Sequence, residues 1–192
     1  ARDRRDRAVQ DQDADVGALF AESLMDTMPW DYWTRDRTPK PETEEILAAL
    51  RFVMERRPNH PGANHYYIHA VEAGPNPELG LPSADRLRDT ITTAGHLVHM
   101  PSHIYQRVGR YEESAQANRV ADAADKAYYA KTAAIDYYPM YSAHNLQFLA
   151  AAASMEGRSA ETIKALRDVR GVFTDDLAAS MIKSLYFPGS CI

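Results

Sequence analysis

Apolar residues recur every three or four positions along most of this chain, and apolar-polar alternation is nowhere sustained. Val16, Leu19, Phe20 and Leu24 make one stripe. Ile46, Leu47, Leu50, Val53 and Met54 make a second, which runs from an acidic first turn (Glu42, Glu44, Glu45) to Pro58. Both carry the period of an amphipathic helix, and no Asn-Gly or Asp-Gly pair marks a hairpin of strands. The segment "MPWDYWTRDRTPKP" between the stripes reads as a proline-punctuated connection, with Trp30 and Trp33 as its core anchors.

Beyond Pro58 the pattern becomes rhythmic. "NHPGANHYYIHA", "HMPSHIYQRV" and "YYPMYSAHNLQFLA" each open a helix with a proline, at positions 61, 101 and 139, spaced by 40 and 38 residues. Proline suits a first turn because its missing N–H had no intrahelical partner there, and a period near 40 is that of helix-turn-helix repeats. The intervening helices are "ADRLRDTITTA", capped by Ser83 and stopped by Gly95, then "EESAQANRVADAADKAYYA", then "AETIKALRDVR" led by Ser159. "TDDLAASMIKSLYF" closes the chain. The helix of the second opening, "HMPSHIYQRV", is expected to start near Val98, with His99 in its first turn.

The phrase "IYQRVGRYEESAQANRVA" resembles a tetratricopeptide repeat: Tyr105, Gly109, Tyr111 and Ala121 stand where that repeat has its tyrosine, inter-helix glycine, aromatic and packing alanine. Ser114 stands where alanine is usual. "NLQFLAAAASMEGRSAETIKALRDV" resembles a weaker copy through Leu149, Gly157 and Leu166, with Ser159 replacing the aromatic. The hairpin around His65 fits poorly, because "AGPNPELGLP" lengthens its turn. More narrowly, "HPGANHYYIHAVEA", "AGHLVHMPSHIYQRVGRYEE", "HNLQFLAAA" and "PWDYW" resemble a group of bacterial tetratricopeptide-type proteins, over roughly residues 13–170. The resemblance implies an all-α, tetratricopeptide-like helix-turn-helix solenoid, of unassigned activity and forming part of a longer chain. The expected organisation is a single helical-repeat domain over residues 1–192, with an N-terminal hairpin region (1–57), histidine-bearing repeats (58–170) and a closing helix and tail (171–192).

Composition narrows the partners. With 192 residues, 45% of them hydrophobic, the chain can bury a sizeable core, and the longest apolar run, near Phe148 to Ala153, is too short to span a bilayer. A net charge of -5 with interspersed signs argues against nucleic acid. Cys191 alone permits no internal disulfide. The charged start "ARDRRDR", without an initiator Met, reads as a solvated face of a processed or truncated product; a soluble protein, secreted or periplasmic if processed, is the expectation.

Candidate chemistry lies in the seven histidines. On a helix His65 and His69 face the same way, with Glu72 on that face, and His99 and His103 repeat the spacing. Random placement would give about 0.25 such pairs. Counted from their opening prolines, His65, His69, His103 and His144 lie within about 9 Å along parallel first helices of a solenoid. These four are the expected ligands of a divalent transition metal (Cu, Zn or Fe), with Glu72 and His99 beside them and Tyr66, Tyr67, Tyr105 and Asn145 as orienting groups. His60 and His96, at proline or glycine boundaries, read as caps.

Three readings of this cluster stand side by side: a metal centre, a polar groove without metal, and a structural hydrogen-bond network. "HYYIH" lacks the glutamate of the zinc-protease motif, which disfavours a peptidase, and no phosphate loop or nucleophile elbow implies a nucleotide cofactor or serine chemistry. Any catalysis would be oxidative or hydrolytic at the metal. The competing class is a scaffold that binds a peptide in its concave groove or assembles head-to-tail as a homo-oligomer or filament.

Overall fold

The computed structural model describes residues 14–90, 93–132 and 138–172. The charged start, the closing helix and Cys191 lie outside the described residues. The fold is all-α: among the described residues the only β pairing is an isolated bridge between Trp33 and Pro39. The helices are α1 (Ala14–Met25), α2 (Pro41–Arg56), α3 (Pro61–Glu72), a 3₁₀ turn (Pro77–Gly80), α4 (Leu81–Thr90), α5 (Gly95–His99), α6 (Pro101–Arg107), α7 (Tyr111–Tyr129), α8 (Tyr138–Met155) and α9 (Ser159–Val172). They divide into two compact units, α1–α4 with α6, and α5 with α7–α9.

In the first unit α2 behaves as its periodicity predicts, with Ile46, Leu47, Leu50 and Val53 buried. The stripe on α1 does so only in part, with Phe20 and Leu24 packed against the core. Val16 and Leu19 are 41% and 59% exposed, while Gly17, Ala18 and Ala21 face inward. The reason is close approach: a Cβ on Gly17 would lie 2.6 Å from Val53 Cγ2, so only small residues fit against α2. α3 packs on α2, α4 and α6, contributing Ile68 and Val71 to a core shared with Leu87 and Ile104. Pro61 and Pro101 occupy first-turn positions as expected. His60 is a cap as read: its Nδ1 accepts from Ala63 N at 3.0 Å, which leaves Nε2–H to donate to Asp15 at 2.8 Å.

Ser83 is not a cap. The 3₁₀ turn feeds directly into α4 at Leu81, two residues earlier, and buried Ser83 instead donates to Met54 Sδ at 3.4 Å. Helix α5 also begins earlier than Val98 and ends at His99, because Pro101 has no N–H to continue the ladder. His96 therefore lies inside α5 and is not a cap.

In the second unit, α7, α8 and α9 pack through small side chains, with Ala115, Ala152 and Ala165 buried beside Leu146 and Leu149. Arg119 of α7 donates to both oxygens of Glu161 on α9 at 2.7 and 3.0 Å. Gly109 and Gly157 both adopt positive φ (80° and 71°), each inside a turn closed by a 2.9 Å bond, Arg110 N to Tyr105 O and Arg158 N to Ala153 O. That is the Schellman closure of a helix C-terminus, and it favours glycine because L side chains are strained there.

Candidate metal centre

The first unit gathers four of the six candidate residues. His65 and His69, one turn apart on α3, have ring centres 4.9 Å apart; His103 of α6 brings its ring centre to 5.3 Å from that of His69. His69 and His103 are each 7% exposed. Between them stands Glu72, in the last turn of α3. Its Oε1 accepts from His69 Nδ1 at 3.0 Å and its Oε2 from His103 Nδ1 at 2.5 Å. The ligand atoms of His69, Glu72 and His103 lie within 4.8 Å of one another, so this group can hold a metal ion.

A carboxylate that accepts from both Nδ1 atoms places the protons there and makes each Nε2 the lone-pair nitrogen. Electrostatics favour that state. Burial alone would raise the Glu72 carboxyl, but the hydrogen bonds from His103 and His69 outweigh it and hold the group down at about 2. Burial pushes the His69 imidazole below its usual value, with Glu72 opposing, so the ring is kept neutral. Acidic groups dominate the surroundings: Tyr66 bonds to Glu22, and burial together with Glu22 and Asp26 pushes its phenol up. Tyr32 is pushed up by burial and then by Asp26 and Glu72. A cation entering here meets the neutral His69 imidazole and fixed negative charge.

The two tryptophans of the connecting loop behave differently from each other. Trp33 is an anchor as expected: its Nε1 donates to Ala70 O at 2.8 Å, capping a carbonyl in the last turn of α3, and its ring lies against Gly74. Trp30 is not. It is 66% exposed, has φ 61°, and sets its ring edge-on to His69 with centres 4.8 Å apart. A tryptophan displayed this way buries too little surface to anchor a loop, and sequence pattern does not distinguish it from Trp33.

The remaining candidates, His99 and His144, belong to the second unit. Their ring centres are 4.7 Å apart, and His99 Nδ1 lies 2.6 Å from Asn118 Oδ1. Asn118 was not among the expected orienting groups. Of those that were, Tyr66 stacks on His65 with ring centres 5.0 Å apart, but Tyr105 donates to Asp85 at 2.5 Å and Asn145 to Asp125 at 2.9 Å. Tyr67 is buried with Arg51 over its ring. Asn145 is drawn to Asp125 because that acid is fully buried and a buried acid needs partners. No family model, no curated protein and no solved structure matches this chain.

Proposed function

We propose that this is a metal-binding protein of tetratricopeptide-like helical repeats, in which His69 and His103, oriented by Glu72 and flanked by His65, take a divalent transition metal. The observation that carries the reading is the single carboxylate of Glu72 bonded to two buried imidazoles on different helices. Carboxylate, imidazole and metal in series is the arrangement by which proteins fix ligand histidines. Neutral imidazoles suit Cu, Zn or Fe, and an oxidative or hydrolytic reaction at such an ion is the chemistry this centre can serve. The repeat character is supported by the matching left-handed glycines 109 and 157, which occupy the same place in the two repeat-like segments.

The test is metal analysis of the purified full chain after loading with Cu(II), Zn(II) or Fe(II), beside His69→Ala and His103→Ala. Both substitutions are expected to lower the bound metal. Wild-type content in both would end the proposal. Cu(II) at His69 is also expected to quench Trp30, so Trp30→Phe should remove the metal-dependent loss of emission.

A second reading, an assembly or partner-binding surface, is favoured by α9 and the end of α8, where Ile163, Leu166 and Met155 are 49%, 52% and 59% exposed. Light scattering of the full chain tests it: a monomer at every concentration removes self-association.

A further inference from the structure

The long turn "AGPNPELGLP" that follows α3 forms one wall of an open groove in the first unit, and α2 forms the other. The groove encloses about 180 Å³. Its floor is apolar: Leu47 and Val71 are buried, Trp33 is half-buried, and Leu79 on the 3₁₀ turn leaves 49% of its surface in water at the rim. This floor is fixed in place. Trp33 is held by its bond to Ala70 O and lies so near Gly74 that a Cβ there would come within 2.7 Å of its Cζ2, while Leu79 N donates to Asn76 O at 3.1 Å and closes the turn. A preformed floor costs little ordering entropy when something binds to it.

Two opposite charges stand at the ends of the floor. Glu44, Leu47 and Arg51 follow one another at helical intervals on α2, and all three line the groove. Two helical turns, about 10 Å, separate Glu44 from Arg51, too far for the direct pairing that residues one turn apart achieve. Among the described residues neither has an ion-pair partner; the Arg51 guanidinium stands 5.9 Å from the ring centre of Tyr67. An apolar trough with an anion at one end and a cation at the other is the complement of a linear molecule that carries an ammonium, a run of methylenes and a carboxylate. The volume sets the scale. At about 180 Å³ the groove is smaller than the roughly 300–1,000 Å³ of sites that take drug-sized ligands, so it suits a short chain and not a nucleotide or flavin.

We propose that this groove binds linear ω-amino carboxylates: the carboxylate accepts from Arg51, the ammonium donates to Glu44, and the methylene chain lies on Trp33, Leu47 and Leu79. The site goes beyond the metal centre and does not rest on it, since Glu72 and the histidines take no part in the groove.

The test is a titration of the full chain with ε-aminocaproate, followed through the methyl resonances of Leu47, Val71 and Leu79 in ¹H–¹³C spectra. Saturable shifts of these methyls are expected. Caproate and hexylamine, which each lack one charged end, are expected to bind about fivefold more weakly, the worth of one exposed ion pair. Arg51→Ala should weaken ε-aminocaproate by about the same factor and leave hexylamine unaffected, and Glu44→Ala should weaken ε-aminocaproate and leave caproate unaffected. Both side chains are exposed, so neither substitution disturbs the core. Methyls that stay in place up to about 10 mM ligand overturn the proposal. Equal binding of the three ligands to the wild type overturns it as well, since the groove would then be merely apolar, and so does wild-type affinity for ε-aminocaproate in Arg51→Ala.

Discussion

His103 donates its Nδ1–H to Glu72 at 2.5 Å, although 31 positions separate the two residues. With His69 on the other oxygen, the carboxylate serves two donors at once. Glutamine keeps the shape but has one acceptor, so one of the two rings must face an amide N–H and surrender its tautomer. Glu72→Gln is therefore expected to weaken metal binding about 10–100-fold with helical content retained. Calorimetric titration of both proteins checks it, and equal affinities would show that Glu72 orients nothing.

Trp33 holds the carbonyl of Ala70, close to where Glu72 leaves α3. Trp33→Phe keeps most of the ring and removes only the donor. Leaving that carbonyl unpaired is expected to cost about 1–3 kcal/mol of unfolding free energy. Denaturant titration measures it; no change in midpoint would mean that water replaces the indole.

Gly95 opens α5 directly against a buried acid: a Cβ there would lie 1.9 Å from Asp125 Oδ1. Gly95→Ala must displace either the helix or the carboxylate, and is expected to destabilise by about 1–3 kcal/mol. A thermal melt matching the wild type would show that the contact relaxes freely.

Asp125 also gives a pH dependence with a definite sign. Burial raises its carboxyl above the usual 3.8, and the hydrogen bonds from Tyr138 and Asn145 only partly oppose the rise. A group whose folded value is raised contributes stability below its unfolded value and loses it as pH climbs through the folded one. Relative to Asp125→Asn, the wild type is expected to lose stability as pH rises above 3.8. Urea midpoints of the two proteins from acid to neutral pH test this, and a constant difference would contradict it.

The legible part of the molecule was whatever a single helix decides. The spacing of Ile46, Leu50 and Val53 yields α2, the proline after His60 makes that residue a cap, and His65 and His69 share a face because they are one turn apart. Relations between helices were not legible. Whether His103 reaches Glu72 depends on how α6 is rotated, and no spacing encodes that. On α1 the bulky stripe misled because backbone proximity, not side-chain size, selects the buried face. One signal was present but unread: Ser114, Asn118 and Asp125 lie at helical intervals on α7 and are all buried, a polar line inside an alanine-rich helix. Buried polar groups of that kind require partners, and His99 is one of them.

The backbone at Trp30 carries its own cost. A left-handed conformation is unfavourable for an L residue by about 1–2 kcal/mol, and a ring 66% exposed recovers little of that through burial. Glycine would occupy the position without penalty. Directed evolution for heat resistance alone should discard this indole early, whereas selection for what binds beside His69 should retain it; the two screens pull one residue in opposite directions.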